Sequence, residues 1–105
     1  MAWMYLVVAG LLEVVWAYLM KRSDGFTQLW PSIGTLVFMG LSFGLLSLSM
    51  KSLPLGTAYM VWTGIGAVGA FVVGAAVLNE QVGPMRVAAA LLIVAGIVLM
   101  KLSSK

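Results

Sequence analysis

The sequence predicts an all-α integral membrane protein with four transmembrane helices, and two observations support this prediction. Of its 105 residues, 63% are hydrophobic and only 9% are charged. A soluble domain of this length buries too little of its surface to hide so much apolar area. The charged residues also divide the chain into four long apolar stretches, and only Glu13 lies well inside one of them. Lipid is therefore the expected solvent of this chain.

Each apolar stretch has about the 20 residues that a helix needs to cross a hydrocarbon core of about 30 Å. Because lipid offers the backbone no hydrogen-bond partners, a spanning segment must be a helix or part of a closed barrel. Uninterrupted apolarity, without alternation, favours the helix. We expect a single transmembrane domain over residues 1–105, with Trp3 and Trp30 as interfacial aromatics near helix starts. Its helices are predicted at about 2–20, 30–50, 55–78 and 84–102.

The residue types that the chain lacks argue against several classes of function. The chain has no Cys and no His, so a zinc, haem or iron–sulfur site is not expected, nor any other metal or cofactor. Its six Lys and Arg residues stand near the ends of apolar stretches and form no basic patch for nucleic acid. One buried acid without a second reactive group does not suit acid–base or nucleophilic catalysis, so an enzyme is not expected.

The first apolar stretch contains its one unusual residue, Glu13. A charged side chain at the bilayer centre costs about 2.5–3.5 kcal/mol even on the lenient insertion scale. At a rise of about 1.5 Å per residue, Glu13 lies about 16 Å from Ala2, near the middle of the core. The stretch lacks the basic start of a signal peptide, and Glu13 would interrupt the apolar region of one, so we expect a retained span.

Lys and Arg residues near the spans set the orientation of a membrane protein. With four spans, both termini and the turn at Lys51 lie on one side. The two sides tie at three basic residues each, Lys51, Lys101 and Lys105 against Lys21, Arg22 and Arg86. We therefore expect the chain to insert in both orientations. Only a residue near the midplane meets its own copy at equal depth in an antiparallel pair, which makes an antiparallel dual-topology homodimer the predicted assembly.

Other polar and aromatic residues are predicted at a similar depth. Ser42 and Trp62 lie about 12 Å from the side that holds the termini, and Tyr59 about 8 Å. Trp16 follows Glu13 by three residues and shares its helix face. A carboxylate and aromatic faces attract a cation, and burial favours a proton on the empty acid. The alternatives are helix–helix contact for Glu13, packing for Trp16, Ser42 and Trp62, and an interfacial anchor for Tyr59.

Glycines mark the third and fourth stretches. Gly64, Gly66, Gly69 and Gly74 weaken the third helix, which suits either a hinge or close packing, as in Gly40-x-x-x-Gly44 of the second. In the fourth, Ala89 and Gly96 share a face that suits helix pairing.

Two segments, "LLEVVWAYLMKRSDGFTQLWPSIGT" and "PLGTAYMVWTGIGAVGAFVVGAAVLNE", resemble the small multidrug resistance family, and the likeness runs the full length. The resemblance implies an antiparallel homodimer that exchanges protons for cationic compounds across the bacterial inner membrane. It implies that Glu13 binds both proton and substrate, that Tyr59 and Trp62 are site aromatics, that Gly64 and Gly66 form a kink, and that Gly96 lies in the dimer interface.

Trp16 distinguishes two branches of that family. The branch that exports bulky drugs usually has a small residue one turn after the Glu, whereas "E-x-x-W-A" resembles the guanidinium exporter branch. The resemblance therefore implies proton-coupled guanidinium export, with Trp16, Ser42 and Trp62 shaping the pocket and small substituted guanidinium ions left open as substrates. A broader exporter of quaternary ammonium ions is the first alternative. A non-transporting subunit that works with a paralogous partner is the second.

Overall fold

A computed structural model of the chain describes residues 2–103, and the regular structure within that range is helical. All four helices are long and apolar enough to cross a membrane, which confirms the predicted number of membrane-spanning helices. They begin and end within one or two residues of the expected positions, the largest difference being that the first continues to Arg22. The helices are α1 (Ala2–Arg22), α2 (Leu29–Ser49), α3 (Leu55–Val77) and α4 (Pro84–Ser103).

Residues with left-handed backbone turn the chain in two of the connections between helices. After α1, the Ser23 hydroxyl donates to the Met20 carbonyl (2.6 Å) and accepts from the Phe26 amide (3.1 Å), while Asp24, Gly25 and Phe26 adopt positive φ. After α3, the amides of Leu78 and Glu80 both donate to the Gly74 carbonyl, and Asn79 adopts a φ of 56°. An Asn in this conformation is a common way to end a helix.

The helices form a thin slab. α1 packs against α2 and α3, whereas the backbone of α4 approaches only that of α3 within residues 2–103. The extents are 43 × 34 × 16 Å, so the shortest dimension is less than half of either of the others. None of the described residues of α4 is buried. A single copy of this chain therefore does not enclose a passage between its helices.

The core lies where α1, α2 and α3 meet, and close approach of α1 to α3 depends on glycine. A methyl group at Gly10 would lie 2.6 Å from Ile65 Cγ2 and 2.7 Å from Ile65 Cβ. By contrast, added methyl groups at Gly40 and Gly44 would meet no atom within 4 Å in the described chain. The close packing considered for the Gly40-x-x-x-Gly44 pair is thus not used inside one protomer. The buried hydrophobic residues are Leu6, Ala9, Leu46, Ala58, Val61 and Trp62.

We expect the substitution Gly10→Ala to destabilise the protein by about 1–3 kcal/mol, because the new methyl group overlaps the branched Cβ of Ile65 and forces α1 away from α3. The matched control is Gly40→Ala, which places the same methyl group in open space and should be neutral or slightly stabilising. Unfolding in detergent micelles measures both. Equal effects of the two substitutions would contradict the packing described here.

Candidate functional site

Glu13 lies on α1 directly against the backbone of α3. A methyl group added at Gly66 would overlap the carboxylate and Cγ of Glu13, so the acid occupies the space that any larger residue at position 66 would fill. Within residues 2–103, Glu13 Oε1 is buried and has no hydrogen-bond partner. The structure therefore holds a carboxylate between two helices with one acceptor oxygen free.

Ser42 joins the three core helices one turn before Glu13. Its buried hydroxyl donates to the Ala9 carbonyl of α1 (2.7 Å) and accepts from the Trp62 indole N–H of α3 (3.0 Å). Both groups of this bridge are removed from lipid, since Ser42 is fully buried and Trp62 is 6% exposed. Because Trp62 and Gly66 are one turn apart on the same face of α3, the bridge fixes α3 relative to α1 beside the carboxylate.

Four aromatic rings form a continuous row beside this bridge. Trp16 meets Phe43 edge to face at 6.2 Å between ring centroids, Phe43 meets Trp62 at 5.6 Å, and Trp62 meets Tyr59 at 5.6 Å. The indole N–H of Trp16 is buried and has no acceptor in the part of the chain that the structure describes. We call these four residues the aromatic row.

Phe43 is the member of the aromatic row that the sequence reasoning missed. It links Trp16 to Trp62, which do not meet ring to ring in the described contacts. Two signals were present in the sequence: Phe43 directly follows Ser42 and is therefore at nearly the same depth, and α2 has only two other aromatic residues, Trp30 and Phe38. Apolar residues around it made it look like an ordinary lipid-facing side chain.

The predicted residues fall into two groups. Trp16, Ser42 and Trp62 are connected through the Ser42 bridge and the aromatic row. Glu13 lies against Gly66, which is one turn along α3 from Trp62. Tyr59 contacts Trp62 but is 53% exposed, so it lies at the edge of the site.

Two of the predicted glycines, Gly64 and Gly96, form the second group and lie away from this site. Gly64 faces α4, where an added methyl group would lie 2.9 Å from Ile97. Gly96 has open space beside it.

Tyr59 also borders a cavity of about 590 Å³, which lies between α3 and α4 and is lined mainly by apolar side chains. Gly64 and Gly96 line it as well. The cavity is an open groove, so it faces lipid or a second protein copy when the chain is in a membrane.

Helix α3 is continuous over Leu55–Val77. Gly64 and Gly66 both allow a close contact with a neighbouring side chain, and the kink at these two residues stays a prediction.

The free groups of the site define what it can bind. Glu13 offers an acceptor oxygen, Trp16 offers an N–H donor, and each lies buried where an unpaired polar group costs about 1–3 kcal/mol. A cation with N–H groups pairs with the carboxylate, and flat aromatic faces add to its attraction. Among residues 2–103 there is no group of three or more His, Cys, Asp or Glu side chains that could hold a metal ion.

We expect Ser42→Ala to lower the free energy of unfolding by about 1–2 kcal/mol, because it removes two interhelical hydrogen bonds, each worth roughly 0.6 kcal/mol or more in a membrane protein. Ser47→Ala is the matched control, since Ser47 lies on the same helix and is exposed. Unfolding in detergent measures the difference. A Ser42 variant as stable as the Ser47 variant would show that the bridge does not hold the three helices together.

Comparison with known proteins identifies the family. A family model described as Small Multidrug Resistance protein matches residues 1–94. The chain is 56% identical over 104 residues to the guanidinium exporter of Escherichia coli strain K12, covering 99% of each chain. The guanidinium exporters of Salmonella typhimurium strain LT2 and Citrobacter freundii are 54% identical over the same length and coverage.

The family match and the four apolar helices together fit a multi-pass protein of the bacterial inner membrane. The match spans nearly all of the chain, including Glu13 and every member of the aromatic row. This protein belongs to the small multidrug resistance family.

Proposed function

We propose that this protein is a proton-coupled antiporter that exports guanidinium ions across the bacterial inner membrane. The observation that carries the proposal is the Glu13 carboxylate, buried against Gly66 with a free oxygen and set beside the aromatic row. Guanidinium as the substrate is supported by full-length relatives at 54–56% identity that bear the name guanidinium exporter. The domain consists of residues 1–105 and works as a single four-helix transmembrane unit.

Guanidinium suits these groups chemically. It is a flat cation whose N–H groups can donate two parallel hydrogen bonds to one carboxylate. Its plane also stacks on aromatic rings, as an arginine side chain does. In this assignment Glu13 accepts the hydrogen bonds, Trp16 and Trp62 line the faces of the cation, and Ser42 holds Trp62 in place. Tyr59 closes the outer edge of the pocket.

Exchange follows from the use of one carboxylate for two cations. Within hydrocarbon, Glu13 must be neutralised by a proton or by a bound cation, since a bare charge is costly there. Binding of guanidinium therefore displaces the proton, and loss of guanidinium restores it. Two Glu13 residues in a dimer give a site that exchanges two protons for one cation, a ratio that comes from the family resemblance.

The functional unit in this proposal is an antiparallel, dual-topology homodimer. Three observations support it: the shortest extent of the protomer is 16 Å, no described residue of α4 is buried, and the basic residues are balanced between the two membrane surfaces. The open space beside Gly96 suits an interface in which α4 packs against a second copy. Gly64 and Gly66 would act as the kink at which α3 bends when the site changes sides.

Export of larger quaternary ammonium ions is the second candidate, and one observation favours it. Tyr59 belongs both to the aromatic row and to the apolar groove of about 590 Å³ between α3 and α4. A cation with an apolar tail could place its charge near Glu13 and its tail past Tyr59. Trp16 argues against a bulky head group, because its ring fills the space one turn after the acid.

We expect guanidinium to drive proton release from liposomes that contain only this protein, and the isosteric substitution Glu13→Gln to abolish it. Gln cannot exchange a proton or neutralise a cation, although it keeps the size of the side chain. A pH-sensitive dye inside the vesicles measures the effect. Asp24→Asn, which removes an acid from a surface loop, is the matched control and should retain exchange.

Each result of that experiment has a defined meaning. Release with tetraalkylammonium but not with guanidinium would replace the proposed substrate by the second candidate. Exchange that survives in the Glu13→Gln protein would remove the carboxylate from its assigned role. If folded wild-type protein moves no protons with either cation, a single gene product does not suffice, as expected of a subunit that needs a paralogous partner.

We also expect Gly66→Ala to weaken guanidinium binding at least tenfold while leaving stability close to that of the wild type. The new methyl group overlaps the flexible end of Glu13, which can move aside at little cost to the fold but only by leaving its position. Gly44→Ala is the control, because nothing lies within 4 Å of the added group. Isothermal titration calorimetry gives the affinity. Unchanged binding by a folded Gly66 variant would disprove this placement of the carboxylate.

A further inference from the structure

An apolar slot separates α1 from α4 at the membrane surface that holds the chain termini. The backbones of the two helices do not approach each other within residues 2–103, and both pack on α3. The slot has a volume of about 290 Å³. Val61 and Ile65 of α3 form its floor, Val7 and Val98 stand on its opposite walls, and Trp3 and Lys101 lie at its mouth.

Lys101 gives the mouth of the slot a positive charge. Its ammonium nitrogen lies 4.9 Å from the centroid of the Trp3 ring, a contact with an aromatic face, and no ion pair joins Lys101 to another residue in the range 2–103. The chain has three acidic residues: Glu13 is near the midplane, and Asp24 and Glu80 are in connections at the opposite surface. No Asp or Glu side chain of the same protomer is therefore placed to neutralise Lys101.

The shape of the slot limits what can fill it. One turn of a helix with its side chains occupies roughly 400 Å³, which is more than the whole slot, so a transmembrane helix of a partner does not enter it. An alkyl chain is narrow enough, and the floor and walls are apolar along the direction of the helices. An amphiphile with its chain in the slot and an anionic group at Lys101 matches both the shape and the charge.

We propose that the slot between α1 and α4 is a binding site for a phospholipid with an anionic headgroup, with an acyl chain on Val61 and Ile65 and the phosphate region on Lys101. Trp3 borders both the apolar slot and the charged mouth, which suits an aromatic residue at the level of the lipid headgroups. The site is separate from Glu13 and the aromatic row. It is a place where bilayer composition acts on the position of α4, whose backbone approaches only that of α3 within the described chain.

Native mass spectrometry of the intact purified protein tests the proposal. The probes are phosphatidylglycerol and phosphatidylcholine with identical acyl chains, so that only the headgroup charge differs. Lys101→Gln should weaken phosphatidylglycerol binding about fivefold, the effect of one Lys near a membrane surface, and leave phosphatidylcholine binding unchanged. Lys51→Gln is the matched control, because Lys51 lies at the same surface in the α2–α3 connection, outside the slot.

A second substitution tests the apolar part. Val7→Trp fills the slot and should weaken binding of both lipids. Val98→Phe, at a side chain that is 50% exposed, serves the same purpose if the first variant does not fold.

Three results would overturn the proposal. Equal losses in the Lys101 and Lys51 variants would assign the effect to the charge of the whole surface. Undiminished lipid binding in folded slot-filled variants would place the acyl chain elsewhere. Unchanged lipid binding by Lys101→Gln, together with easier dissociation of the protein into monomers, would show that a second copy of the chain covers this surface.

Discussion

The neutralisation of Glu13 inside hydrocarbon is the constraint on which the rest of the structure depends. A bare carboxylate at this depth is costly, so the acid needs a proton or a cation, and the surrounding residues are arranged around that need. Gly66 leaves room for the carboxylate, and the Ser42 bridge fixes the adjoining turn of α1 to α2 and α3. The aromatic row then provides faces for a cation without adding a fixed positive or negative charge. In the proposed function, the glycine, the hydrogen-bonded bridge and the aromatic row around Glu13 all serve this one acid.

Sequence reasoning predicted the parts of the molecule that depend on helix length and helical rise. Four spans follow from apolar stretches of the right length, and the shared depth of Glu13, Ser42 and Trp62 follows from about 1.5 Å per residue. Rotation of helices about their axes is different, because it depends on how side chains of different helices fit together. For that reason only the structure shows which side chains meet: Glu13 lies beside Gly66, and Phe43 lies between two tryptophans. It also shows the open space beside Gly40 and Gly44.

The thin protomer leaves much apolar surface for other molecules to cover. Helix α4 has no buried residue in the described range, and grooves lie on two of its sides. The groove toward Tyr59 has a volume of about 590 Å³, whereas the slot toward Trp3 has about 290 Å³ and is bordered by Lys101. A second protein copy suits the first, and a lipid suits the second. In the proposed function the exchange site lies among α1, α2 and α3, while α4 faces lipid or a second copy. The proposed chemistry of transport is thereby separate from the proposed assembly and lipid binding.

The central claim is that one carboxylate holds a proton and a guanidinium ion by turns. The most direct measurement is the number of protons released per guanidinium bound, obtained by calorimetry of the purified protein in two buffers of different ionisation enthalpy. The account predicts proton release on binding, and an affinity that falls as the pH is lowered, by up to about tenfold per pH unit for each proton displaced. Guanidinium binding that releases no proton and has the same affinity at acidic and neutral pH would contradict it.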